Sequence, residues 1–248
     1  MILLTLFLLY AIALSIALAR AGHWARTTPS TGAHHNPYTR ILIVGATGGT
    51  GRQLVAQALD RGCTVTAFVR NPSRLKVQHP RLRVIQGDVL EYESVKAAMH
   101  EQEAVLCALG HKRFLYPTWI LSHGTRNILR AMETEGVRRL VCESSIGIGD
   151  SAGRLGLYYS LFVIPVILPF YFWDRTRQER LIAASSLEWV IVRPGTLTDG
   201  DRRREYHHGL GGGSFLRTVR ISRADVADFM LNQLASDTYV GCATSVFW

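Results

Sequence analysis

The stretch ILIVGATGGTGRQLVAQALDRGCTVTAFVRNPSRL, residues 41–75, decides the fold. Ile41, Leu42, Ile43 and Val44 read as a short buried strand, and Leu54, Val55, Ala58 and Leu59 recur at the spacing of one helix face. Between strand and helix lie Gly45, Gly48 and Gly51, in the pattern G-x-x-G-x-x-G. The first glycine permits a tight turn. The middle of the loop, with Thr47, Gly49 and Thr50, lets backbone N–H groups approach a pyrophosphate, and the last glycine lets helix and strand pack closely. A glycine triplet in this strand-turn-helix setting predicts a dinucleotide site.

The second strand of the same stretch, ending TAFVRNPSRL, carries no carboxylate at its end. Sites selective for NAD place Asp or Glu there to hold the ribose 2′-hydroxyl, whereas an arginine accommodates a 2′-phosphate. Arg70, helped by Arg74, is therefore expected to meet the extra phosphate of NADP(H); the alternative is an arginine capping a strand edge in solvent.

Outward from this stretch, apolar β-rich runs alternate with helical patterns. Strands are expected near 41–44, 64–69, 82–85, 104–108, 139–143 and 189–192, with a further one around 244–247. Helices are expected near 51–60, 92–100, 122–135, 175–186 and 223–234. Such alternation predicts an α/β fold over residues 39–248, a Rossmann-type doubly wound parallel sheet with helices on both faces. Gly62 and Gly136 stand where helices end, and Ser222 with Asp225 resembles a capping box.

The chain has 248 residues, 48% of them hydrophobic, enough for one sizeable core, and the single repeating pattern favours one domain. Its formal charge is +9 with a pI near 9.8, carried almost wholly by arginine, which suits phosphate or an anionic surface. No long basic run interleaved with aromatics appears, so nucleic acid is not expected as a partner. Cys63, Cys107, Cys142 and Cys242 lack CxxC spacing and read as reduced and structural, which points to the cytosol.

The opening residues MILLTLFLLYAIALSIALAR have no charged side chain before Arg20. Their length is close to the ~20 residues of a spanning helix, so residues 1–19 are read as a membrane anchor lying outside the folded domain. Arg20 and Arg26 follow the apolar run and favour a domain kept in the cytoplasm, beside the inner membrane. Two other readings stand: a signal peptide, from the Ala17-Leu18-Ala19 pattern, and a start assigned too far upstream. Residues 20–38 lack periodicity and read as a flexible linker.

The segments GATGGTG, VRNPSRL, QGDVLE, CALG, GTRNILRAM…GVRRLVCESSIGIGDS, WVIVRPG and ISRADVADFML together resemble the atypical short-chain dehydrogenases of the NmrA-like and biliverdin/flavin reductase-like group. The likeness runs from about residue 40 to the end and implies the Rossmann fold and an NAD(P) cofactor. It also implies residue roles. Asp88 and Val89 resemble the pair that contacts adenine; Ala108, Leu109 and Gly110 resemble the turn along the cofactor's ribose. Ser144 and Ser145 stand where the family has its substrate-side serine, and Pro194 and Gly195 resemble the loop beside the nicotinamide.

Short-chain dehydrogenases usually act through Tyr-x-x-x-Lys, in which the tyrosine gives a proton and the lysine assists it. No lysine occurs after Lys112. The nearest substitute is Tyr171-x-x-x-Arg175, with Tyr171 read either as the acid or as a packed aromatic. A flexible acceptor chemistry follows: a quinone or flavin takes its proton from water, so an NADPH-dependent reductase of a hydrophobic conjugated acceptor is expected. The rivals are an NADP(H)-binding redox sensor or assembly factor, which the missing lysine favours, and an epimerase or dehydratase of a nucleotide sugar.

A second apolar run, LGLYYSLFVIPVILPFYFW at 155–173, is read as part of a lid over a small hydrophobic substrate, spanning about 152–174. The strands before and after it belong to one sheet, which argues against a crossing, and Pro165 and Pro169 are expected to interrupt any helix there. Its aromatics line a pocket, dip into a membrane interface, or form buried core. Residues 200–215, with Arg202, Arg203, Arg204, His207 and His208, read as a mobile solvent loop; no metal site is expected from two adjacent histidines.

Overall fold

The computed structural model describes residues 2–20 and 38–248; the expected linker, 20–38, lies outside the described residues except for Arg20, which ends the first helix, and Tyr38. In chain order α1 (Ile2–Arg20) precedes β1 (Arg40–Val44), α2 (Gly49–Asp60), β2 (Thr64–Val69), β3 (Leu82–Gln86) and α3 (Tyr92–Met99). There follow β4 (Ala104–Cys107), α4 (Ile120–Glu135), β5 (Arg139–Glu143), a π-helix (Tyr159–Ile167), α5 (Pro169–Ala183) and β6 (Glu188–Pro194). The chain ends with β7 (Thr196–Thr198), β8 (His207–Leu210), β9 (Arg220–Ser222), α6 (Arg223–Asn232) and β10 (Cys242–Phe247).

The main sheet has the order β3-β2-β1-β4-β5-β6-β10-β8, parallel throughout except that β8 runs antiparallel to β10. This is the doubly wound α/β arrangement expected, and the chain reverses direction across the sheet between β1 and β4, where such folds bind ligands. The pleat of β1 shows how both faces are filled. Ile41 and Ile43 pack with Leu54 and Val55 of α2 and Val226 and Met230 of α6. Leu42 and Val44 face the other way, to Met99, Ile128, Met132 and Ile182. The hydrophobic driving force for the fold is this pair of layers.

Local signals behave as expected. Gly62 and Gly136 take left-handed φ of 89° and 73° just past α2 and at the end of α4. The Ser222 hydroxyl accepts the Asp225 amide at 3.0 Å and caps α6.

Four expectations need correction. The first concerns α1, which is not separate from the folded domain: Ala11 and Leu18 are buried, Leu18 packing in a cluster with Ile146, Ile148, Ile164 and Phe172, and the Tyr10 hydroxyl donates to the Pro165 carbonyl at 3.2 Å. An apolar helix beside an apolar lid buries part of its surface on it. At ~1.5 Å per residue α1 is about 28 Å long, and it closes on Arg20. Among the described residues no helix is long and apolar enough to cross a membrane.

The prolines of the lid interrupt helix only once, at Leu168, and not at Pro165. Pro165 lies within the π-helix, where the Leu168 amide still reaches the Val163 carbonyl at 3.0 Å. Pro169 opens α5, a first-turn position whose amide needs no partner, so α5 starts six residues earlier than expected. The chain breaks between the two helices at Leu168 (φ −116°). Finally, 200–215 is not wholly a solvent loop. His207–Leu210 covers the edge of β10, in register from Phe247↔His207 to Thr244↔Leu210, and His208 Nδ1 lies 2.8 Å from the Tyr239 hydroxyl.

The argument against a crossing at 155–173 holds: β5 and β6 lie side by side, Arg139 opposite Glu188 and Glu143 opposite Val192.

Candidate functional site

At the carboxyl ends of β1 and β4 a cleft of about 960 Å³ opens between the glycine loop and the lid. The Gly48 amide donates to the Gly45 carbonyl at 2.9 Å, closing the turn, and α2 begins at Gly49 with no side chain capping it. Its first amides therefore face the cleft unpartnered by a cap, a ready seat for phosphate.

The need for glycine is steric. A Cβ on Gly51 would stand 2.1 Å from the Gly45 carbonyl oxygen; one on Gly45, whose φ is +80°, would stand 2.4 Å from that of Ala108. No side chain fits either place. The loop thus leaves a bare backbone cradle of the shape a pyrophosphate requires, and the residues present fit a dinucleotide. Thr47 and Thr50 complete the loop; the Thr50 hydroxyl turns inward to Glu143 at 2.9 Å.

At one end of the cleft are Arg70 and Arg74, both exposed. Asn71 organises the turn that presents them: its side chain accepts from the Ser73 amide at 3.1 Å and the Ser73 hydroxyl at 2.7 Å. Asp88 and Val89 line the same end. Asp88 accepts the Leu90 amide at 3.0 Å, and Asn127 holds the Val89 carbonyl at 2.9 Å, so the two residues sit on a braced turn. Ala108, Leu109 and Gly110 run along the floor, tied to β1 by the Ala108 amide on the Val44 carbonyl at 3.0 Å. Pro194 and Gly195 form the far wall, the Gly195 amide donating to the Val246 carbonyl at 3.0 Å.

Helix α5 brings Tyr171 and Arg175 to that far end. A guanidinium nitrogen of Arg175 donates to the Tyr171 hydroxyl at 2.5 Å. Another donates to the Glu143 carbonyl at 2.6 Å and to Gln178 at 3.0 Å. Burial works against the charge on Arg175, but Tyr171 and Glu143 outweigh it and raise its pKa. Ser144 and Ser145 line the cleft too, with their hydroxyls engaged: Ser144 donates to Glu179, a carboxylate that Arg193 holds at 2.7 Å, and Ser145 to the Ile146 carbonyl at 3.0 Å. Arg193 also pairs with Asp150.

Three contributors escaped the sequence reading. Glu143 is buried beneath the glycine loop; burial pushes its carboxyl up, opposed by Arg175, Thr50 and Arg223. Its signal was an acid closing a strand whose middle, Leu140 to Cys142, is apolar. His111 sits with its ring 5.0 Å from that of Tyr171, and burial lowers its pKa. Arg223 lies across Gly49, whose Cβ would meet it at 2.3 Å, and pairs with Asp199 at 2.7 Å.

Comparison with known proteins agrees with this geometry. A family model described as NAD(P)H-binding matches residues 45–237. The chain is 30% identical over 210 residues to a 3-diazoavenalumate denitrifying reductase of a Streptomyces species, covering 73% of this chain and 62% of that one. It is 30% identical over 171 residues to an uncharacterised chloroplast protein of Arabidopsis thaliana, covering 64% and 59%. The chain thus spans about three fifths of the length of these two relatives. Among solved structures, a short-chain dehydrogenase/reductase of Veillonella parvula in complex with NADP superposes with a TM-score of 0.69 at 20% identity, over 84% of this chain and 94% of that one. With cradle, crossover and matched residues in agreement, the chain belongs to the NAD(P)H-binding family, and its Rossmann fold is shared with short-chain dehydrogenase/reductases.

Proposed function

We propose that this protein is an NADPH-dependent reductase of a small hydrophobic conjugated acceptor, quinone-like or flavin-like. The observation that carries this reading is the two-ended cleft, with arginines at the adenine end and an aromatic wall at the other. Leu155, Tyr159, Leu168, Tyr171 and Phe172 make that wall and suit a flat apolar molecule.

Arg70 and Arg74 hold the 2′-phosphate, and the amides at the start of α2 hold the pyrophosphate. Bound there, NADPH supplies a hydride. The chain's part in the reduction is orientation and a proton. Because Arg175 donates to the Tyr171 oxygen, the hydroxyl proton of Tyr171 is left to point elsewhere, and the Tyr171 oxygen lies 3.8 Å from where a Cβ of Gly110 would stand. That proton can be given to an acceptor that needs one as the hydride arrives; a quinone gains one hydride and one proton to become a hydroquinone and can take the proton from water instead. The lid's aromatic side chains keep bulk water from the acceptor.

The Streptomyces relative is itself a reductase, which supports the reaction class. The test is NADPH oxidation by purified protein against a panel of quinones, flavins and simple carbonyls. Steady oxidation with a quinone or flavin is expected. Tight NADPH binding without oxidation by any member overturns the reading in favour of an NADP(H)-binding redox sensor or assembly factor. One observation supports that second reading: Arg175, in the lysine's place, commits one nitrogen to the Glu143 carbonyl and Gln178 rather than to the cleft.

A further inference from the structure

We propose that the outer side of the lid, α1 and the loop 111–119 form one surface that docks on an anionic lipid bilayer. This is a peripheral contact and is independent of the acceptor named above.

The lid has two faces. Its inner residues Tyr159, Leu168 and Phe172 line the cleft, while Tyr158, Phe162, Val166 and Phe170 recur every four residues and are exposed. Trp173 continues that exposed stripe onto α5. Neighbouring segments extend it. α1 lies against the π-helix yet buries only a narrow stripe, leaving Leu3, Leu6, Leu9, Ile12 and Ile16 exposed, Leu3 to 83%. Ile16, Leu157 and Phe215 line one shallow apolar groove of about 340 Å³ between α1 and the lid. On the other flank the ring of Trp119 meets that of Trp173 at 5.9 Å, which brings in the loop with Leu115, 85% exposed, and Tyr116. Apolar surface of this extent is costly in water and marks an interaction site.

Charge selects the occupant. Residues 2–20, 104–132, 151–173 and 206–224, which supply all of these side chains, contain no Asp or Glu. They do contain Arg20, Lys112, Arg113, Arg154, Arg217 and Arg220. Arg154 lies over the Phe215 ring at 4.9 Å, and Arg177 over that of Trp173 at 4.8 Å, so guanidinium groups rim the aromatics. A second copy of the same face would set these cations against one another. An anionic bilayer satisfies both halves of the pattern, taking aromatic and aliphatic side chains into its interface and arginines among its headgroups.

Flotation of the full chain with vesicles of phosphatidylcholine, alone or with phosphatidylglycerol, tests this. Binding is expected to the vesicles containing phosphatidylglycerol and to weaken with salt. The triple variant Tyr158→Ser, Phe162→Ser, Val166→Ser should reduce it about tenfold or more, and so should Arg154→Glu with Arg217→Glu. NADPH affinity, measured alongside, should stay at the parent value because none of these side chains lines the cleft; either variant alone suffices if the other loses NADPH binding. Failure to bind either vesicle overturns the proposal. So does binding that ignores phosphatidylglycerol, or a dimer in sedimentation that the triple variant dissolves.

Discussion

The Arg175 guanidinium donates to the Tyr171 hydroxyl at 2.5 Å, so a buried cation meets the tyrosine oxygen directly. If Tyr171 is a proton donor, its loss matters in proportion to how much the acceptor needs a proton during hydride transfer. Tyr171→Phe should lower the rate with simple carbonyls by about a hundredfold and leave quinone or flavin turnover within a few-fold. Equal losses for both acceptor classes would place Tyr171 in packing rather than in chemistry. Initial rates of NADPH oxidation decide this.

The glycine loop gives a second expectation. Gly51→Ala puts a methyl 2.1 Å from the Gly45 carbonyl oxygen, where only backbone could yield. The loop must open or α2 must move. Loss of NADPH binding is expected, with stability lowered by roughly 1–3 kcal/mol, read by thermal melting. An alanine variant with parent affinity would show that the loop is not the cradle.

A third prediction concerns the ion network behind the site. Arg193 is fully buried and pairs with Glu179, which is equally buried, and with Asp150 at the surface. Arg193→Met leaves the Glu179 carboxylate without its cation in the interior, at a cost of about 3–5 kcal/mol. Denaturant unfolding measures it; a change under about 1 kcal/mol, the worth of an exposed ion pair, would contradict the network's role.

The fourth concerns pH. Burial, with His207 adding like charge, lowers the pKa of His208, and burial lowers that of His111. Both therefore bind protons more weakly folded than unfolded. Their neutral forms are present in both states above the unfolded value of about 6.5, where stability is complete; as pH falls below it, the unfolded chain takes up more protons and stability declines toward the folded-state pKa. Melting temperature should fall on acidification, and less steeply in His208→Asn. An identical slope in the variant would remove His208 from the account.

Much of this architecture was legible in the residues. The β1–loop–α2 unit could be read because apolar period, glycine spacing and helix face agree at every position from Ile41 to Leu59, and the pyrophosphate cradle needs nothing but glycine. The absence of an acid after β2 was legible too, and Arg70 and Arg74 do line the cleft. Other parts were not. In α1 the apolar residues go all the way round, so periodicity says nothing about whether one side docks, and only the folded lid reveals a partner for Leu18. Strand β8 lies among glycines and exposed histidines, and it forms because β10 offers it an unpaired edge. The orientation of Arg175 depends on the Glu143 carbonyl, thirty-two residues away in the chain, a contact no local pattern carries.

The central claim is that a 2′-phosphorylated coenzyme lies across the first crossover with Arg70 and Arg74 on its extra phosphate. Titration calorimetry of the full chain with NADPH and with NADH tests it most directly. NADPH is expected to bind at least about tenfold more tightly, a charge-assisted contact being worth roughly 1.5–3 kcal/mol, and Arg70→Ala with Arg74→Ala should bring the two affinities together by weakening NADPH alone. Equal affinity in the parent protein, or a preference that survives the double substitution, would contradict the account.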